Sequence, residues 1–431
     1  MDPTEKNWIE KYLEQRSAFD FLANMPSDIS FEQKLYKYLQ PAGIIYGHPI
    51  DLPSQIEIDT SGWPVKERLE VILFESLLAA YLIKNNSDNT PEELNTASIS
   101  IKDFYEKVSP ELSKLSLFER APKTELQSLE RFLSKRVNVK AEWNKNFWPG
   151  FFHNILLFGD VITFVYHLDN PRSSSAELRE FVLDLHRQII YLLSSVLDVN
   201  HDTKEQNIRY FHFFVESTVL PKEEKKDALN WHNQVFHNEF KLKYKESNWL
   251  RKKYVLDMAV LSVWADQSVS VLEEEFLSSL AQNLDLDSVE LEASGFAVES
   301  FVLNNWNKVH YLQQKQSYLD LSRRLTSRMK IISKKYGSFI KVEIEENKEL
   351  VALLKLSHER QLSIDEKDLV RRHLVDILKL IPAFVVLVMP LAFLTIPILM
   401  RIIPKEFFPS SFNPNALTAP RRQGRNSIIE G

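Results

Sequence analysis

The longest run without a charged side chain, residues 380–400, constrains the fold of this chain more than any other feature. At a rise of about 1.5 Å per residue, a helix over these 21 residues spans the roughly 30 Å hydrocarbon core of a bilayer. Pro382, Pro390, Pro397 and Pro404 interrupt or follow the run. Such prolines break helices in water but are tolerated in membranes, where neighbouring groups satisfy the freed carbonyls. The run predicts a proline-kinked transmembrane or re-entrant helix, and the alternative is a buried helix of a soluble core.

The residues before this run have the pattern of a multi-helical soluble region, so the predicted fold class is mainly α. After Pro64, apolar residues recur with the 3.6-residue period of a helix, and Pro110 and Pro122 indicate two further helix starts. Residues 151–169 predict a strongly apolar, buried helix. Residues 38–62 differ, because they contain three prolines and three glycines. They predict an ordered loop with a short strand at 55–58.

Glycine and cysteine usage excludes several classes of function. The chain has nine glycines, and no pair of them has the spacing of a phosphate-binding P-loop or of a dinucleotide-binding fingerprint. The absence of cysteine rules out disulfides, thiol nucleophiles and cysteine-based metal sites. A net charge of -6 argues against a general nucleic-acid binder. We find no catalytic constellation and no need for a cofactor, so an enzyme of unknown class is only a third alternative.

Breaks in the helical pattern predict five regions. They are an N-terminal helical domain (1–140, with the loop at 38–62), a second helical domain (141–248), a helical unit with a long basic helix (249–337), a membrane segment (338–412) and a disordered basic tail (413–431).

Within the third region, an apolar helix, a short polar turn and a second helix follow one another. Ala265, Asp266 and Glu273 occupy positions of the signature AxDGxhxxxE, so this part resembles the tellurite-resistance TerB-like helical domains, with Gln267 in place of the glycine. The resemblance makes Asp266 and Glu273 weak candidates for binding a cation. The alternative is an ordinary helix start with acidic residues in its first turn.

A basic amphipathic helix is predicted within residues 301–336. Its basic residues are Arg323, Arg324, Arg328, Lys330, Lys334 and Lys335. Its apolar stripe consists of Leu321, Leu325, Met329, Ile332 and Tyr336. Such a helix either lies on an anionic membrane surface or turns its apolar stripe to a protein core, and the second arrangement is the more common one.

An acidic residue between two basic residues comes just before the uncharged run. Arg372 and Lys379 stand four residues before and three residues after Asp376, so all three side chains share a helix face. We expect an ion-paired cluster at the membrane edge. It serves either as a structural anchor or as a gate or proton entry point.

Residues 369–412 resemble the membrane segment of the Letm family, the leucine-zipper and EF-hand transmembrane proteins of the mitochondrial inner membrane. The family pattern is a basic residue, an acid and a second basic residue, followed by prolines at matching intervals and a closing P-S-x-F. The matching positions are Arg372, Asp376, Lys379, Pro382, Pro390, Pro397, Pro404, Pro409, Ser410 and Phe412.

The resemblance implies cation/proton exchange or support of ion homeostasis, and association with ribosomes through a domain named for ribosome binding. The remainder of the chain looks most like bacterial relatives described as Letm-related biofilm-associated proteins. Since the N-terminal sequence has no secretory signal pattern, we expect a bacterial inner-membrane location with the bulk of the chain cytoplasmic.

The family usually carries an acid within its span, and Phe393 stands at that position here. An intramembrane carboxylate is the expected ion or proton relay, so its absence favours a membrane-anchored adaptor or scaffold. An oligomeric cation/proton exchanger or its regulator is the alternative. The expected partners are the lipid bilayer, the ribosome and further copies of the chain, without recognition of a specific nucleic-acid sequence.

Overall fold

The computed structural model shows a mainly helical chain in two compact units. The residues it describes are 1–19, 29–47, 52–53, 56, 58–60, 62–87, 89–115, 121–137, 154, 156–199, 204–231, 248–264, 271–304, 318–381, 394–410 and 412. These residues contain no strand, which confirms the predicted α class. The N-terminal unit is Met1–Tyr318 and the C-terminal unit is Leu319–Gly431. The finer five-part division stays a prediction.

The helices of the N-terminal unit are α1 (Trp8–Arg16), α2 (Phe31–Leu39), α3 (Val65–Asn85), α4 (Pro91–Val108), α5 (Glu125–Arg136), α6 (Leu157–Asp169), α7 (Ser175–Val199), α8 (Lys204–Ser217), α9 (Lys222–Trp231), α10 (Trp249–Trp264), α11 (Val271–Asn283) and α12 (Ser288–Asn304). Those of the C-terminal unit are α13 (Tyr318–Lys335), α14 (Gly337–Glu346), α15 (Lys348–Glu359), α16 (Ile364–Leu380) and α17 (Ile396–Ile402), followed by a 3-10 turn (Lys405–Phe407).

Two helices with apolar residues on almost every side, α3 and α10, form the centre of the N-terminal unit. A helix with this pattern is stable only when neighbours cover it from all directions. Helices α2, α4 and α6 pack against α3, whereas α7 and α12 pack against α10. The buried helix α6 confirms residues 157–169 of the apolar helix predicted over 151–169, and residues 151–153 and 155 lie outside the described residues.

Several details of the sequence interpretation differ from the structure. The predicted helix start at Pro110 opens only a 3-10 turn, Pro110–Ser113, and α5 begins later, after its cap Thr124. The predicted loop at 38–62 contains two 3-10 turns, Gln40–Ala42 and Ile44–Tyr46. The predicted strand at 55–58 falls partly outside the described residues, and Ile56 and Ile58 are not in a strand.

A buried ion pair joins α1 to α3. The side chains of Arg16 and Glu75 are both fully buried, with Arg16 Nε 3.0 Å from Glu75 Oε2. The hydroxyl of Tyr12 donates to Glu75 Oε2 at 2.7 Å, and the hydroxyl of Tyr38 donates to Oε1 at 2.6 Å. A buried carboxylate is tolerated because these donors replace the water that it loses.

A buried histidine lies on α7. His186 is 2% exposed, and its Nδ1 accepts a hydrogen bond from the backbone N–H of Val219 at 3.3 Å. Burial lowers the pKa of His186 to about 3, and the charges of Arg136 and Lys225 act in the same direction. The imidazole is therefore neutral at physiological pH.

In the C-terminal unit, the apolar stripe of α13 faces the core. Leu321, Leu325, Met329 and Ile332 are fully buried, so the core-facing alternative is confirmed for this helix. The helix ends at Lys335, and Gly337 begins α14. A Cβ atom at Gly337 would lie 2.9 Å from Cε1 of Phe407, so a glycine lets that ring pack directly on the helix backbone.

The uncharged run does not form one uninterrupted helix. Helix α16 ends at Leu380, Thr395 is extended with φ -73° and ψ 156°, and α17 begins at Ile396. Pro382, Pro390 and the rest of 382–393 lie outside the described residues. Leu394 and Ile403 are fully buried in the C-terminal unit. Among the helices described, none combines the length and apolar character that crossing a bilayer requires, so the transmembrane or re-entrant helix stays a prediction.

Candidate functional site

An open cleft of about 880 Å³ in the C-terminal unit is lined mainly by basic and apolar side chains. It lies between α13 and residues 398–406. Its basic residues are Arg323, Lys330, Lys334, Arg401 and Lys405. Among the described residues of this lining, Glu406 is the one acid. A concave surface with such an excess of positive charge attracts anions, because the low-dielectric walls focus the field.

Helical spacing explains why α13 presents its basic side chains to the cleft. Arg323, Lys330 and Lys334 are separated by seven and four residues, so they lie along one face. That face is distinct from the buried stripe, and all three residues are exposed. Arg323 pairs with Asp320 at 3.0 Å on the same helix. The cleft is thus the solvated side of a helix whose other side anchors it in the core.

The second wall of the cleft comes from the end of the uncharged run. Ile398 and Met400 of α17 are half-buried, whereas Ile403 and Pro404 are buried. Pro397 lies in the first turn of α17, where a missing N–H costs nothing. This wall gives the cleft an apolar surface beside its basic rim. Such an arrangement suits a ligand that has both an anionic and an apolar part.

The predicted cluster around Asp376 is formed in part. Lys379 Nζ donates to Asp376 Oδ1 at 2.8 Å, and the Asp376 side chain is 63% exposed. Within the described residues Arg372 makes no ion pair with Asp376. An exposed pair of this kind contributes about 0–1 kcal/mol. A role for these residues in gating or proton entry stays a prediction.

The remaining motif residues lie at the end of the C-terminal unit. Pro404 precedes the 3-10 turn, and Pro409 and Ser410 follow it. The ring of Phe412 stacks on Phe408 with 4.6 Å between the ring centroids. The Phe of the closing P-S-x-F motif therefore packs on an aromatic ring of the same unit.

The weak cation candidates of the TerB-like resemblance are not brought together in the part of the chain that the structure describes. Glu273 is buried on α11, and Asp266 lies outside the described residues. No group of acidic and histidine side chains in the described ranges could hold a metal ion. The TerB resemblance and the proposed cation site stay predictions.

A hydrogen-bonded histidine that the sequence interpretation missed connects α15 to α16. Asn347 caps α15, since its Oδ1 accepts from the backbone N–H of Leu350 at 2.9 Å. Its amide nitrogen therefore faces His373 Nδ1, at 3.1 Å, and His373 Nε2 lies 3.0 Å from Glu349 Oε2. This geometry makes Nδ1 the acceptor and Nε2 the donor. The sequence indicates the cap, because Asn347 directly precedes a helical pattern, but it does not indicate the contact with His373.

The start of α16 is fixed by a capping box. The Ser363 hydroxyl accepts from the backbone N–H of Glu366, whose carboxylate accepts from the backbone N–H of Ser363. Arg360 donates to both carboxylate oxygens of Glu366, at 2.6 and 2.9 Å. The hydrogen bonds from Arg360, followed by those from Ser363, lower the pKa of Glu366 to about 2. This carboxylate stays ionised throughout the physiological range.

Ser363 and Glu366, which form the capping box of α16, lie at the start of a segment that matches a known family model. The described residues form a mainly helical protein with a basic C-terminal unit. Residues 362–426 match the family model described as "LETM1-like, RBD". The match supports a Letm-family relative and confirms the resemblance of this segment. It covers the C-terminal part of the chain alone, and bacterial origin stays a prediction. No curated protein and no solved structure matched the chain significantly.

Proposed function

We propose that this chain is a Letm-like adaptor or scaffold whose C-terminal unit docks on the ribosome. The observation that carries this proposal is the match of residues 362–426 to a domain of the ribosome-binding type. The exposed basic face of α13 in the same unit supplies a physical means. Ribosomal RNA presents phosphates at its surface, and Lys and Arg side chains bind them with release of counterions.

The same proposal places the adaptor at a membrane. Residues 382–393 contain no charged side chain, and this composition favours burial in lipid or protein. We propose a bacterial inner-membrane location with the bulk of the chain in the cytoplasm. Attachment to both the ribosome and the bilayer would serve envelope or ion homeostasis. The matched family is not one of enzymes, which agrees with an adaptor.

Ribosome docking can be tested by co-sedimentation of the full chain in mild detergent with purified ribosomes. The test variant carries Arg323→Glu, Lys330→Glu and Lys334→Glu. Its matched control carries Lys341→Glu, Lys348→Glu and Lys355→Glu, which change the net charge equally at exposed positions of α14 and α15.

We expect the α13 variant to lose sedimentation with ribosomes and the control to keep it. Wild-type binding should weaken steeply as salt rises, because phosphate contacts release counterions. Equal binding by all three proteins would exclude the basic face as the docking surface. Failure of the wild type to sediment at low salt would contradict ribosome docking itself.

Oligomeric cation/proton exchange, or its regulation, is the second candidate. The exposed carboxylate of Asp376, near the start of the uncharged run, favours it. Proton-coupled cation flux into liposomes, lost in Asp376→Asn and kept in Asp368→Asn on the same helix, would support exchange. Absence of flux in the wild type would leave the adaptor as the better account.

A further inference from the structure

We propose that the basic cleft of the C-terminal unit binds an anionic phospholipid. The phosphate would lie against the Lys and Arg side chains of the rim, and an acyl chain would lie on the apolar wall. This inference goes beyond ribosome docking, because it assigns the cleft a ligand of its own. It rests on the charge, the apolar lining and the place of the cleft in the sequence.

Most basic side chains of the rim have no ion-pair partner among the residues that the structure describes. In the described part of the chain, Lys330, Lys334, Arg401 and Lys405 form no ion pair, and Arg323 alone among the basic lining residues is paired. Unpaired cations that converge on a concave surface repel one another, and a bound anion relieves that repulsion. A phosphate group provides the charge and several acceptor oxygens, which suits both Lys and Arg.

The wall opposite α13 selects a ligand with an apolar part. Ile398 and Met400 are half-buried on the cleft side, and none of the described residues that line the cleft is aromatic. Single-stranded RNA binds mainly where aromatic side chains stack on its bases, so this lining is poorly suited to unpaired bases. Aliphatic side chains and a methionine offer a suitable surface for an acyl chain.

The position of the apolar wall favours a lipid over an acidic peptide. The wall begins at Ile398, separated by four residues from the segment 382–393, which contains no charged or strongly polar side chain. Basic residues beside an apolar segment are typical of proteins at the level of lipid headgroups. Helix α13 itself cannot enter the bilayer through its apolar stripe, since Leu325 and Met329 are buried in the unit. A single lipid held in the cleft therefore fits better than insertion of this helix.

Native mass spectrometry of the full chain, released from detergent with added lipid, tests the charged part of the site. We expect phosphatidylglycerol adducts at lower lipid concentration than phosphatidylcholine adducts. Each of Lys330→Gln and Lys334→Gln should weaken phosphatidylglycerol binding about fivefold, the effect of one basic residue near an anionic lipid surface. Lys348→Gln and Lys355→Gln are the matched controls, and we expect no change. Equal weakening in both pairs, or in neither, overturns the proposal.

A separate variant tests the apolar wall of the cleft. Ile398→Asn with Met400→Gln keeps every charge, and we expect it to reduce phosphatidylglycerol binding about tenfold, because apolar contact with the acyl chain is lost. Its circular dichroism should stay that of the wild type. Glycerol phosphate, which has the headgroup phosphate without acyl chains, should bind far more weakly than the lipid. Equal binding of the two would make the cleft a simple anion site and overturn the lipid assignment.

The outcomes separate this inference from ribosome docking. The Ile398→Asn/Met400→Gln variant should still sediment with ribosomes, because docking depends on the basic face. If the wild type binds lipid but does not sediment with ribosomes, the docking proposal is wrong and the lipid inference stands. If an RNA oligonucleotide bound in the cleft and phosphatidylglycerol did not, the lipid inference would fail and the docking proposal would stand.

Discussion

Protonation of the buried side chain of His186 should contribute to destabilisation of the N-terminal unit by acid. In the unfolded chain this imidazole has an ordinary pKa of about 6.5 and takes up a proton as the pH falls. In the folded unit its pKa is about 3, so the imidazole stays neutral. The unfolded state therefore binds more protons, and stability is present above pH 6.5 and lost as the pH falls below it. Linkage gives a loss of about 1.4 kcal/mol between about pH 7.5 and about pH 5.5.

The variant His186→Asn separates this effect from all other titrations. Its amide oxygen keeps an acceptor near the position of Nδ1, whereas the side chain cannot take up a proton. We expect a lower free energy of unfolding at neutral pH, and a fall on acidification that is smaller than in the wild type by about 1.4 kcal/mol. His212→Asn on α8 is the control, because His212 is exposed.

Urea unfolding followed by tryptophan fluorescence is the suitable assay. All eight tryptophans lie before residue 319, so their fluorescence reports on the N-terminal unit alone. Urea midpoints and slopes are compared for the wild type, His186→Asn and His212→Asn at about pH 7.5 and about pH 5.5. If His186→Asn loses as much stability on acidification as the wild type, the histidine does not stay neutral in the folded unit and the reasoning is wrong.

Three further substitutions have expected effects on stability. Glu75→Gln should destabilise the N-terminal unit by about 3–5 kcal/mol in urea unfolding, because it leaves the buried guanidinium of Arg16 uncompensated. Gly337→Ala should destabilise the C-terminal unit by about 1–3 kcal/mol, seen as faster limited proteolysis after residue 319, because the added methyl group meets the ring of Phe407. Asp376→Asn should change the free energy of unfolding by less than about 1 kcal/mol, because its ion pair is exposed. A large loss of stability in this last variant would mean that the carboxylate is buried in the folded protein.

The elements that the sequence predicts well are those in which local pattern and tertiary environment agree. The period of Leu321, Leu325, Met329 and Ile332 placed these side chains on one face, and the structure buries all four. The all-round apolar character of 151–169 likewise predicted a buried helix. In contrast, the apolar period alone does not locate the start of α4 at Thr90-Pro91, although a capping Thr followed by Pro is a typical helix start.

The parts that escaped prediction depend on residues far apart in the chain. Arg16 and Glu75 are separated by 59 positions, and each alone has the character of a surface residue. Nothing in the local sequence shows that their charges meet in a core. The cleft has the same origin, because Arg323 and Lys405 approach it from separate elements. The basic character of α13 follows from its sequence, whereas the approach of residues 398–406 to this helix does not.

The pairing of Arg16 with Glu75 also limits how this sequence can diverge. A substitution at either position alone leaves an unsatisfied charge in the core, so an evolutionary path through single changes passes through a destabilised protein. In homologous chains the two positions should therefore be retained together or exchanged together for an apolar pair. Such joint variation in an alignment would identify the packing of α1 on α3 without any coordinates.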